Sequence, residues 1–245
     1  MNDDIFKYPD TNSSRAKIEY LNRKFKDQKI AIIGLGGTGS YILDLVSKTP
    51  VKEIHIYDGD VFELHTAFRA PGAIDGAKLD AEPGLKKVKY YYDVYSKMHG
   101  GIIPHDEYFT EHNLKELNGF DCVFVSVDKN KARSMIARGL LSMKVPFIDV
   151  GLGVNMHDDS LMATIRVTMG TKRKNNHLRL RIGEDETEEN EYAPNIQIAD
   201  LNCMNAVLAV IRWKKMIGFY HDLKHEHHTL YLLNTNKLIN DDHTT

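Results

Sequence analysis

The chain has 245 residues, with 32 Lys and Arg against 34 Asp and Glu and a net charge of −2. That length suits one α/β domain or two small ones with a full core, and the near-neutral charge argues against a general nucleic-acid binder. Two cysteines, Cys122 and Cys203, exclude a disulfide framework and a four-cysteine zinc site, and no apolar run approaches the roughly 20 residues that span a bilayer.

The first ten residues, MNDDIFKYPD, lack the apolar core of a secretory leader, so a cytoplasmic protein is expected. Residues 1–28 read as an arm and a helix. The capping cluster Asp10–Ser14 precedes a helix over about 14–27 with Ile18, Leu21 and Phe25 as its apolar stripe. Residues 29–34 are a strand, 38–48 a helix stopped at Thr49-Pro50, and 53–57 a second strand ending at Asp58-Gly59-Asp60. Between the first strand and helix lies Gly34-Leu35-Gly36-Gly37-Thr38-Gly39-Ser40. Glycines 34, 36 and 39 carry the G-x-G-x-x-G spacing of a phosphate-binding turn, where backbone and helix N-terminus together receive an anion.

Residues 60–83 are aperiodic and contain Pro71, Gly72, Gly76 and Pro83, which marks a long functional loop. A helix over about 85–98, a strand near 102–108 and a short helix at 111–117 follow. The apolar run from Cys122 to Val127 reads as a strand buried on both faces, then a helix over 129–143 and a strand over 145–150. Gly151-Leu152-Gly153 breaks the βα alternation. Residues 162–168 are expected as an antiparallel strand, 170–194 as a mobile polar loop, 196–217 as a strong helix and 229–233 as a last strand, with a frayed tail from Asn240 to Thr245. The fold class is thus α/β: a Rossmann-like, mostly parallel sheet flanked by helices, with antiparallel strands added in the C-terminal third.

Four features fall at the C-terminal ends of strands, where open α/β sheets bind ligands: the glycine turn, Asp58, the loop bearing Arg69, and Asp128. A carboxylate ending the second strand suits two ribose hydroxyls. Arg69 and Lys87 offer fixed positive charge to phosphates, and Asp128 suits Mg²⁺. Asp121 and Asp149 read as local strand-end caps. His221, His225, His227 and His228 read as a solvated linker, and the tyrosines 90–92 and 95 as helix packing.

These residues resemble a known family, the ThiF/MoeB/HesA adenylyltransferases that activate ubiquitin and ubiquitin-like proteins. The resemblance covers 29–150 well and the helix at 196–217 more loosely. It rests on G-x-G-G-T-G-S at 34–40, with Gly37 as the distinguishing glycine; on Asp58-Gly59-Asp60-Val61-Phe62; on Thr66-Ala67-Phe68-Arg69 with Gly84-Leu85-Lys86-Lys87; and on Asp128 followed by Asn130-Lys131-Ala132-Arg133. It implies a single adenylation domain over 29–245, with an ATP-binding core at 29–150 and a partner-binding part at 151–245. It also implies ATP-dependent adenylation of the C-terminal carboxylate of a small ubiquitin-like or sulfur-carrier protein, with release of pyrophosphate.

By the same resemblance Gly34, Gly36, Gly37, Thr38, Gly39, Asp58 and Asp60 bind the nucleotide. Arg69, Lys87 and Asp128 are catalytic, Asp128 holding Mg²⁺. Arg15, with Arg23 as runner-up, reaches a partner subunit's phosphates across a homodimer. The family's asparagine is replaced by Thr66, no zinc is expected, and neither Cys203 nor Cys122 is placed as a thioester-forming cysteine. No nucleic-acid or membrane partner is expected. Two alternatives stand beside this reading: a catalytically degenerate nucleotide-binding scaffold, and an NAD-binding Rossmann protein.

Overall fold

In a computed structural model, which describes residues 5–182 and 196–244, alternating strands and helices build the first 150 residues. The strands are β1 (Lys29–Ile33), β2 (Glu53–Tyr57), β3 (Ile102–His105), β4 (Cys122–Val125), β5 (Phe147–His157), β6 (Ser160–Gly170), β7 (Glu226–Leu232) and β8 (Lys237–His243). The helices are α1 (Thr11–Ala16), α2 (Gly37–Val46), α3 (Leu64–Ala67), α4 (Gly76–Ala81), α5 (Lys87–Tyr95), α6 (Asn130–Met143), α7 (Leu178–Ile182) and α8 (Ala199–Met216). Among the described residues the strands form one sheet ordered β3-β2-β1-β4-β5-β6-β7-β8. The β1–β2, β2–β3, β1–β4 and β4–β5 pairs are parallel, and the pairs from β5 to β8 are antiparallel. The chain therefore reverses direction across the sheet between β1 and β4, the crevice where such sheets take ligands.

Strand alternation sends β1 into two cores. Ile30 and Ile32 pack with α2, α5 and α8 around fully buried Trp213, while Ala31 and Ile33 pack with Ile136, Ala137 and Leu140 of α6. Of the tyrosine cluster, Tyr90 and Tyr91 are buried in the first of these cores.

Several expectations give way. The helix over 14–27 is two pieces. Asp10 caps α1 through the amides of Asn12 and Ser13, Lys17 turns left-handed (φ 57°), and a 3-10 segment at Glu19–Lys24 follows. The stripe residue Phe25 is nonetheless buried, against Trp213 and Phe219 with ring centroids 5.4 and 4.7 Å away. The long loop carries α3 and α4, each too short to show a helical period. Strand β5 runs through Gly151 and Gly153 because β6 pairs it residue for residue as far as His157. The tail does not fray: β8 pairs with β7, from Lys237 opposite Leu232 to His243 opposite Glu226. That pairing buries His227 and His228, which are strand residues and not linker, while His221 and His225 are exposed. Of the expected mobile loop, residues 183–195 lie outside the described residues; the part before them contains α7.

Two buried imidazoles make the fold acid-sensitive. His99 is fully buried, with its ring edge-on to Phe6, and His228 is buried beside the Thr168 hydroxyl at 3.0 Å. Burial pushes each down to about 4, aided at His228 by the charges of Arg181 and Arg166. The unfolded chain takes up these protons near pH 6.5 and the folded chain does not. Stability is therefore complete above about pH 6.5 and falls as the pH drops towards 4, by on the order of 3 kcal/mol per histidine. Urea midpoints measured from pH 7 down to 4.5 should decline steadily; a flat profile would show that both rings protonate in the fold.

Candidate active site

The C-terminal ends of β1, β2 and β4 open onto a cavity of about 1310 Å³. Gly34, Gly36, Gly37, Thr38, Asp58, Asp60, Arg69, Lys87 and Asp128 all line it, so residues scattered over 95 positions of sequence meet at one crevice. Two of the proposed residues do not line it. Gly39 lies beneath the turn, where a Cβ would fall 1.9 Å from the Gly34 carbonyl oxygen. Arg15 lies exposed on α1.

The turn has a division of labour. A Cβ on Gly36 would meet nothing within 4 Å, so its face is open to the cavity. Gly36 also ends α2 without a side-chain cap, which leaves the first amides of that helix free to receive an anion. Gly37, by contrast, gives room to a neighbour: a Cβ there would lie 2.1 Å from Nδ2 of Asn202 on α8. Asn202 is fully buried and its Oδ1 accepts from the Thr38 hydroxyl at 3.0 Å.

Asp58 fastens the turn to β2. Its Oδ2 accepts from the Leu35 amide at 2.7 Å and its Oδ1 from the Asp60 amide at 2.8 Å. Burial pushes its carboxyl up, against the opposing pull of Lys87. Lys87 returns to this corner because the ends of the long loop are zipped together. The Phe62 amide donates to Leu85 at 2.6 Å and the Lys87 amide to Asp60 at 3.0 Å. The Lys87 ammonium, 6% exposed, then lies 2.7 Å from Asp60 and 3.7 Å from Asp58. For Asp60, burial alone would raise the carboxyl, but the Lys87 bond and the Tyr108 hydroxyl, which donates to Asp60, hold it below its usual value. Lys86 instead contacts the Gly59 carbonyl at 2.8 Å and Asp106 at 3.2 Å, a surface role.

Arg69 is half-buried. Its Nη2 donates to His65 Nε2 at 3.3 Å, and its buried Nε has no partner among the described residues. It lines both the main cavity and a smaller one of about 270 Å³ beside it, into which Thr66 also faces. The Thr66 hydroxyl is buried and unpartnered among the described residues. Asp128 is exposed at the end of β4. No group of three or more His, Cys, Asp or Glu among the described residues is arranged to hold a metal by itself.

Several lining residues were not among those the sequence singled out for the site. The loop after β3 contributes Glu107, Tyr108 and Phe109, and β5, β6 and α8 contribute Gly151, Gly153, Arg166 and Asn205. Asn205 is fully buried and its Nδ2 donates to the Gly151 carbonyl at 3.1 Å. Asp149 is not a strand-end cap. It is a fully buried carboxylate between two arginines of the cavity wall, with Arg133 Nε at 3.2 Å and Arg166 Nη2 at 2.5 Å. Asp121 does cap a strand, accepting from the Lys29 amide at 2.8 Å. Cys122 is buried in β4, and burial pushes the half-buried Cys203 thiol up, which disfavours its nucleophilic thiolate.

Solved structures share this architecture. PaaA in selenomethionine form superposes with a TM-score of 0.70 at 15% identity, over 100% of this chain and 78% of that one. E. coli MccB with MccA-N7isoASN gives a TM-score of 0.73 at 17% identity, over 96% and 73% of the two chains. E. coli MccB with ATP gives 0.73 at 16% identity, over 96% and 72%. At such identities the likeness is one of fold. No curated protein sequence matches the chain. Among the described residues no helix is long and apolar enough to cross a membrane. The ThiF family model matches residues 15–157, more than half of the chain, and that stretch contains the glycine turn, the zipped loop, Asp128 and Asp149. By that match the chain belongs to the ThiF family.

Proposed function

We propose that the chain adenylates the C-terminal carboxylate of a peptide or small carrier protein, of the ubiquitin-like or sulfur-carrier kind, using Mg·ATP. The observation that supports it best is the single cavity joining the open face of Gly36 to Arg69 and Asp128 on one side and to the β5–β6 wall on the other. In this reading the free amides at the start of α2 receive phosphate oxygens, and Asp58 and Asp60 hold the ribose side. The substrate carboxylate oxygen bonds to the α-phosphorus while the bond from that phosphorus to the pyrophosphate oxygen breaks. Arg69 stabilises the charge that develops on the phosphate chain, and Lys87 contributes once its pairing with Asp58 and Asp60 is shared with the nucleotide. Asp128 would hold Mg²⁺, which when bound supplies positive charge to the phosphates.

The MccB structures bound to ATP and to MccA-N7isoASN are consistent with a nucleotide and a small substrate in such a fold. The division into a nucleotide core at 29–150 and a partner-binding part at 151–245 belongs to the same proposal. So does a homodimer in which Arg15, which does not line its own chain's cavity, serves a second copy.

Pyrophosphate–ATP exchange with a panel of carrier proteins and peptides tests this. Wild type should exchange in a partner-dependent way, and Asp128→Ala should lose roughly 100-fold or more of that rate without losing its fold, since the side chain is exposed. Exchange absent with every partner, together with tight NAD binding, would overturn the reading. Nucleotide binding without exchange would favour a non-catalytic scaffold, to which the paired state of Lys87 lends some support.

A further inference from the structure

The loop after β3 is built to present one carboxylate to the cavity. Asn113 organises it: its Nδ2 donates to Glu107 Oε2 at 2.9 Å and to the Tyr108 carbonyl at 3.0 Å, and its Oδ1 accepts from the Thr110 amide at 2.8 Å. Those partners fix the amide's orientation, because a carboxylate and a carbonyl only accept and an amide N–H only donates. Glu107 is therefore anchored through one oxygen. Its other oxygen, Oε1, has His105 Nδ1 at 3.9 Å, beyond hydrogen-bond reach. Glu107 is half-buried and lines the cavity, together with the apolar residues Ile33, Phe109, Val127, Ala132 and Ile136. Apolar walls with a polar group beside them suit a purine ring.

We propose that Glu107 is a specificity-determining residue that accepts a hydrogen bond from the exocyclic amine of adenine, with Asn113 as its positioning residue. This rests on the nucleotide reading above. An ionised carboxylate accepts at every lone pair and donates at none, so it rewards a base that offers an N–H at that edge. The anchoring by Asn113 means that the carboxylate is already oriented before the base arrives.

The test compares two nucleotides that differ only in that amine, ATP and purine riboside triphosphate, by calorimetric titration of the full chain with Mg²⁺. Wild type should prefer ATP by about tenfold, the worth of one hydrogen bond to a charged group. Glu107→Ala should bind the two alike, and Glu107→Gln should also lose the preference, because Asn113 holds its one amide oxygen and its NH₂ group, a donor, then faces the base. Asn113→Ala should narrow the preference by loosening Glu107. Equal binding of the two nucleotides by wild type, or an undiminished preference in Glu107→Ala, would overturn the proposal and leave the nucleotide reading intact. Binding of neither nucleotide by wild type would overturn both. A wild-type ratio near one overturns the proposal even if a variant fails to fold.

Discussion

Arg69→Ala is expected to lower partner-dependent pyrophosphate–ATP exchange by roughly 10²–10³-fold, with little change in melting temperature. The size follows from the kind of charge that Arg69 carries. Lys87 is already neutralised by two carboxylates, whereas the Arg69 guanidinium has a single hydrogen bond, to an imidazole nitrogen, and a buried Nε without a protein partner among the described residues. Arg69 can turn towards a phosphate without first breaking an ion pair. A preorganised charge of that kind acts most where charge develops during the reaction, so the loss should fall on kcat more than on nucleotide affinity. Arg69→Lys should recover only part of the rate, because an ammonium cannot bind two oxygens side by side. A loss below about fivefold would mean that charge stabilisation lies elsewhere.

Asp149→Ala is expected to destabilise the fold by about 3–5 kcal/mol, measured by urea denaturation at neutral pH. The carboxylate is fully buried near the start of β5, flanked by Arg133 of α6 and Arg166 of β6. Removing it leaves two guanidinium groups in a poorly hydrated wall without their counter-charge, and that is what a broken buried pair costs. The arginines are further held by neutral acceptors, Arg133 by the Val127 carbonyl at 2.6 Å and Arg166 by the Thr168 hydroxyl at 2.9 Å. These bonds keep them in place but do not replace a negative charge. A cost under about 1 kcal/mol would show that water already screens the cluster.

The βαβ unit and the crevice residues were readable because local rules governed them. Ile30–Ile33, the glycines and Asp58 fall within 29 positions, and the ends of parallel strands converge by topology. Arg69 and Lys87 were readable through their family spacing, although the pairing of Lys87 with Asp58 and Asp60 depends on how the loop closes, which spacing does not encode. What stayed hidden is decided by distant partners. The tail forms β8 because β7 offers it a ladder, and β5 continues through two glycines because β6 does the same. Asp149 looked like one of several strand-end aspartates until Arg133 and Arg166 arrived from other elements. Asn202 and Asn205 were polar residues on the broad apolar face of a helix, an anomaly that could have marked α8 as touching the site. Glu107 and Tyr108 sit in a loop whose order comes from Asn113, a contact that no periodicity reports.

The hydrogen bond between Thr38 and Asn202 joins positions 164 apart in the chain. Gly37 is vacant of side chain so that α8 can come that close. The phosphate turn is thus written near the start of the polypeptide, but one of its walls is supplied near the end. Contacts so distant in sequence form slowly, since a long loop must close before they reward it. The cradle is therefore complete only once α8 has docked against the turn. An emerging or half-folded chain carries the glycine motif without the finished cradle, which keeps nucleotide binding tied to the completed molecule.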